Sequence, residues 1–275
     1  MFTVMEKFIM QSISAADLAV ITVEGGFALA AGSEALRTPK GNVLQHSSEE
    51  LMLEILTILR SQGGITLESG ALSVPVSMSP LYLLTDMLDV VIPETGVYAT
   101  DFVQALLADP VLYTIPGPEQ ISRDAAYECV RAILETELPP LRRHVTELQS
   151  RAFELEPDTA DVELSEEAEV AIEQVKWLYS ILSPEQKAVI NALTTLHSGS
   201  LLMAMSLMIS PLGSPVDYAD GVIAALMLDG KQFADVSSKE TITIRQLLEQ
   251  DAQAAMNFLA HTNDDQDWTD DEEGE

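Results

Sequence analysis

Cysteine is nearly missing from this sequence. Cys129 is the sole one in 275 residues, which excludes an intramolecular disulfide and any zinc site built on cysteine. Basic residues are scarce too: 14 Lys and Arg stand against 44 Asp and Glu, for a formal net charge of −30. A phosphate backbone needs clustered Lys and Arg, so nucleic acid is excluded as a partner. An anionic membrane surface is disfavoured for the same reason. The four histidines, His46, His144, His197 and His261, are scattered without the H-x-x-x-H or H-E-x-x-H spacing of a metal site. No nucleophile elbow, P-loop or dinucleotide-binding glycine pattern occurs. The reading is therefore of a non-enzymatic protein with no cofactor and no metal.

Long hydrophobic runs are also lacking. The most apolar stretch, Leu201 to Ile209, is interrupted only by Ser206 and stopped by Pro211. A membrane span needs roughly 20 apolar residues, so this run is too short. An exposed docking face remains open, but a helix apolar all round is best read as a central one covered by others. Aromatics make up only 5% while Met is plentiful at 11, so the core draws on Leu, Ile, Val, Ala and Met, a helix-favouring set. At 47% hydrophobic, the chain can build a substantial core.

What is present divides the chain in two. Residues 17–78 alternate short β-prone stretches with turn signals. Glu24-Gly25-Gly26 marks a hairpin, and Pro39-Lys40-Gly41-Asn42 marks a second turn. Ser47 and Glu50 are spaced as a capping box for a helix that ends at Gly63-Gly64. Ser69-Gly70 is a third turn. The expectation is a small antiparallel β-rich domain with one helix over residues 1–78. From Ser79 the pattern is helical. Pro80 opens one helix, Pro139-Pro140 ends another, and Ser165 caps a third. Ser183-Pro184-Glu185-Gln186 is the strongest start signal, opening a helix that can run unbroken to Pro211. Residues 79–262 are thus expected to form an all-α domain with a central buried helix. Residues 263–275, NDDQDWTDDEEGE, read as an acidic disordered tail. The fold class is α+β. The first residues, MFTVMEKFIMQ, lack the Arg-rich pattern of a transit peptide and the apolar stretch of a secretory signal. The expectation is a protein that stays where it is made, or one whose presequence lies outside this sequence.

Three stretches together resemble a known family. They are VEGGFALAAGSEALRTPKGNVLQHSSEEL, ILRSQGGITLESGALSVPVSMSPLYLLTDMLD and NALTTLHSGSLLMAMSLM. Their order and spacing are similar to the assembly chaperones that bind the alpha subunit of the F-type ATP synthase catalytic sector, in mitochondria and alphaproteobacteria. The matching positions are Gly25, Gly26, Phe27, Thr38, Pro39, Gly199 and Ser200, all with structural roles. The resemblance implies a monomeric chaperone without ATP hydrolysis, in the mitochondrial matrix or otherwise the bacterial cytoplasm. Its partner would be the alpha subunit, released when the beta subunit binds. An acidic-aromatic motif of the family falls on LMLDGKQFADVSSKE, which places candidate partner contacts at Asp229, Lys231, Gln232 and Phe233. This chain departs from the family there: Gly230, Lys231 and Gln232 stand where acids are expected, and the Trp-Gly that follows is absent. Leu59 stands where the first helix tends to end in Trp. The alternative is a family-like scaffold serving as a structural subunit of a larger complex.

Overall fold

The computed structural model describes residues 10–68, 71–72, 74–93, 98–113, 127–128, 130–131, 134–153, 163–196, 200–209, 214–226 and 239–262. It shows a small antiparallel β region at the N-terminus followed by a larger helical part, an α+β architecture. The chain forms two compact units. One comprises residues up to Pro93 together with those from Ala254 on; the other runs from Glu94 to Gln253.

In the first unit, β1 (Met10–Ser14) pairs with β6 (Gly64–Glu68), which pairs with β7 (Ala71–Leu72). A second sheet runs β2 (Leu18–Val23), β3 (Gly26–Ala31), β4 (Glu34–Ala35), with β5 (Gln45–His46) also on β3. All pairings are antiparallel. The hairpin expected at Glu24-Gly25-Gly26 is present, with Val23 opposite Gly26. Gly26 has φ +139, and a Cβ there would lie 2.3 Å from the His46 carbonyl oxygen of β5. Only glycine lets the two strands approach this closely. The sequence gives little sign of β1, because MQSIS carries little β-branched pattern of its own. Its register is set by β6, with Ile13 opposite Ile65.

α1 (Glu49–Ser61) covers these strands with Leu51, Met52, Ile55, Leu56 and Leu59. Its cap lies one residue later than the spacing predicts. The Ser48 Oγ accepts from the Leu51 amide at 3.2 Å, and the Ser48 amide donates to His46 Nδ1 at 3.0 Å. The histidine takes the place that Glu50 would fill in a capping box, so the box is not formed. α2 (Pro80–Asp86) is capped by Ser79 and opens on Pro80 as expected. It widens into a π-type turn over Met87–Val91, closed by the Ile92 amide donating to the Met87 carbonyl at 2.9 Å.

The second unit holds α3 (Tyr98–Leu107), a 3-10 turn at Pro110–Leu112, α4 (Leu138–Phe153), α5 (Glu166–Ser180), α6 (Pro184–Leu196), α7 (Leu201–Ile209) and α8 (Pro215–Leu226). α9 (Lys239–Thr262) begins in this unit, and its residues from Ala254 on belong to the first. Pro139 and Pro140 do not end a helix; they occupy the first turn of α4, where a missing amide costs nothing. Ser165 caps α5, and Ser183 with Gln186 forms the reciprocal capping box.

The apolar run is central, as expected: Leu201, Leu202, Met203, Ala204, Met205 and Leu207 of α7 are buried, and the helix packs on α3, α6 and α8. It is not one helix with α6. α6 ends at Leu196, and a new helix starts at Leu201 with Ser200 as its cap. The break is held from far along the chain by Asp109. Among the described residues no helix is long and apolar enough to cross a membrane.

Candidate functional site

Two buried acids hold Thr38 and Ser200, two of the residues that sequence singled out. Asp89, presented by the π-type turn, is 5% exposed. It accepts from the Thr38 hydroxyl, from the Lys40 amide at 3.0 Å and from the Asn42 side-chain amide at 2.8 Å. Lys40 Nζ reaches the Asp89 carbonyl at 2.7 Å. Thr38 is fully buried, and its hydroxyl also accepts from the Asn42 amide at 3.1 Å. The Thr38-Pro39 turn is therefore a lock between the strands and α2, with Pro39 exposed at its tip. Phe27 is half-buried on β3, and Leu59 is buried at the end of α1.

The second acid is Asp109, 1% exposed at the end of α3. Its carboxylate accepts from Ser200 Oγ at 2.7 and 2.8 Å, from the Leu202 amide at 2.8 Å and from the Val111 amide at 3.0 Å. Ser200 Oγ in turn accepts from the Met203 amide at 3.0 Å. One carboxylate thus caps two helical starts, using the amides that a helix N-terminus leaves unpaired. Burial outweighs these hydrogen bonds and pushes the carboxyl up from 3.8 to about 6. The Tyr218 phenol is likewise pushed up, first by burial and then by the charges of Asp251 and Asp109. These groups are enclosed within the helical unit and build its core.

Asp229, Lys231, Gln232 and Phe233 lie outside the described residues, as does Gly199. The described residues offer a different surface. On α5, Ala168, Ala171, Ile172 and Val175 are buried. Tyr179 meets Phe102 of α3 with ring centroids 5.0 Å apart. Those contacts set the helix's rotation. They leave Val170, Trp177 and Ile181 outward, at 53%, 60% and 60% exposure. A groove of about 660 Å³ lies beside Val170, walled by Pro139, Pro140 and Thr136 of the α4 entry and by Glu166 and Gln174 of α5. Arg143 pairs with Glu167 on its rim. The sequence marks α5 only as a capped helix. The signal that could have revealed more is its second apolar stripe, Val170, Trp177 and Ile181, opposite the one that builds the core. Among the described residues no group of three or more His, Cys, Asp or Glu side chains is placed to hold a metal ion.

Solved structures with this arrangement exist. Atp12 from Paracoccus denitrificans superposes with a TM-score of 0.57 at 15% identity, covering 90% of this chain and 96% of its own. The chain has the Atp12 fold. An Asp-to-Lys variant of P. denitrificans Atp12 gives 0.58 at 16% identity over the same shares of the two chains. An Agrobacterium tumefaciens protein, provisionally described as a chaperone, gives 0.55 at 19% identity over 92% of this chain and 86% of its own. No protein-family profile and no curated protein sequence matches the chain. The likeness to Atp12 is thus carried by the fold, across both units, with little sequence retained.

Proposed function

We propose that the chain is a non-enzymatic assembly chaperone of the Atp12 kind, a divergent member of that family. Its client on this reading is the alpha subunit of the ATP synthase catalytic sector. The observation that carries the proposal is the shared fold over 90% of this chain and 96% of Atp12. An isolated alpha subunit exposes the apolar surface that its beta neighbour later covers. A chaperone occupying that surface keeps the subunit from aggregating, and leaves when the tighter subunit contact forms. The chaperone would bind as a monomer, in the mitochondrial matrix or the bacterial cytoplasm. Asp229, Lys231, Gln232 and Phe233 are the family-derived contact candidates.

Co-expression with the alpha subunit from the same source tests this. The expected result is soluble alpha in complex with the chain, and dissociation when beta is added. Alpha that stays insoluble sinks the proposal. The residues at 230–232, which are not the acids expected there, favour a second reading: a scaffold retained as a permanent subunit. A complex that persists in the presence of beta would select it.

A further inference from the structure

We propose that the outer face of α5, with the groove beside it, is a docking surface for a basic amphipathic segment of the client protein. The identity of the client rests on the chaperone reading; the chemistry of the segment rests on the face itself.

Large apolar side chains exposed along one side of a helix mark interaction surfaces, and Trp is among the residues most enriched at the energetic centres of interfaces. Here Val170, Trp177 and Ile181 recur at the spacing that stacks side chains along one side of a helix. The stripe is not purely apolar. Glu166 and Glu173 fall at the same spacing, so that positions 166, 170, 173, 177 and 181 alternate acid, apolar, acid, apolar, apolar. α5 as a whole carries Glu166, Glu167, Glu169 and Glu173 against the single Lys176. Glu173 pairs with Lys176 at 2.7 Å and Glu167 with Arg143. Four glutamates against one lysine still leave the helix a net charge of −3, so a partner that covers Trp177 and Ile181 gains by bringing positive charge to it. A helix with an apolar stripe bordered by Lys or Arg meets both demands. The groove at Val170, lined by Pro139 and Pro140, gives such a helix a pocket for one further apolar side chain.

Charge also decides against other occupants. A second copy would set these glutamates against a molecule of net charge −30. The chain's own acidic run from Asp264 to Glu275 has the wrong sign as well. Nucleic acid and anionic lipid are repelled for the same reason.

The test uses the full chain and a fluorescein-labelled amphipathic leucine–lysine peptide about 18 residues long, five turns of helix. Binding is followed by anisotropy at moderate salt. Two controls accompany it: a scrambled peptide of the same composition, and the leucine–glutamate counterpart. The amphipathic basic peptide is expected to bind at least about tenfold tighter than either control, a difference of about 1.4 kcal/mol. Trp177→Ser and the double variant Glu166→Gln/Glu173→Gln, which removes the two charges without reversing them at the helix start or beside Lys176, should each weaken it by about tenfold, with far-UV spectra unchanged. Ile242→Ser, which removes an exposed apolar side chain from α9, should have no effect. Equal binding of the scrambled peptide, or full binding by Trp177→Ser, overturns the proposal. Co-expression of Trp177→Ser with the alpha subunit separates the two readings. If the wild-type chain and this variant solubilise alpha equally, the face is wrong and the chaperone reading stands. If the peptide needs Trp177 but the wild-type chain rescues no alpha, the face stands and the client is another protein.

Discussion

Asp109 is the residue whose chemistry reaches furthest. Its carboxylate holds the start of α7 and the Pro110–Leu112 turn, yet burial raises it to about 6. In the unfolded chain it loses its proton near the ordinary 3.8, so the folded state holds more protons between these values. The stability it contributes is fully present below about pH 3.8 and is lost as pH rises to about 6. A shift of this size corresponds to about 3 kcal/mol. Asn at this position keeps one acceptor oxygen and cannot ionise. The difference in urea stability between Asp109→Asn and wild type should therefore move in the variant's favour by about 2–3 kcal/mol from about pH 4 to about pH 7. A constant difference across that range would show that Asp109 does not hold its proton in the folded state. Subtracting the two titrations removes the contribution of the chain's many other carboxylates.

At the scale of elements, the lock between the Thr38 turn and the π-type turn makes a sharper prediction than any single strand. Thr38→Val preserves shape and removes the hydroxyl that donates to Asp89 and accepts from Asn42. The buried carboxylate then loses a donor, at a cost of about 1–3 kcal/mol. A lowered urea midpoint with an unchanged far-UV spectrum is the expected outcome. Gly26→Ala should be worse, because the clash is with strand backbone and not with a side chain able to swing away. Its folded yield should drop, read as loss of soluble protein or of the cooperative transition. These elements also show how far sequence reaches. The hairpin at Glu24-Gly25, the Ser183–Gln186 box and the Ser165 cap are legible because each signal is complete within a few residues. The break before α7 is not, because Ser200 is held by an acid 91 positions away. The cap of α1 slips by one residue because His46, preceding it, supplies the acceptor that Glu50 was expected to offer. The Thr38 turn is legible as a turn, but its anchor at Asp89 lies 51 positions on. The candidate site is less legible still. A family motif points to Asp229 through Phe233, while the stripe through Trp177 can be told from a core stripe only once Tyr179 and Val175 are seen to face inward.

For the whole molecule, charge dominates. With a net charge of −30, like-charge repulsion opposes compaction, and salt screens it over a Debye length of about 10 Å at about 0.1 M. The melting temperature should rise by a few degrees between about 0.02 and about 0.3 M sodium chloride, as followed by calorimetry. A flat response would mean that the acids are dispersed too widely to act together. The path of α9 has a consequence in time. Ala255 and Phe258 are fully buried, and the His261 ring lies 3.4 Å from Glu50 and 3.2 Å from Glu54 of α1. These late residues complete a unit whose strands are made first, with about 160 residues synthesised in between. At ~5–20 residues per second, the ribosome leaves the first unit without these residues for roughly 8–32 s. α1 must wait through that interval for its last neighbour, and a message truncated after the codon for Gln253 would yield a nascent protein in which Glu50 and Glu54 never meet His261.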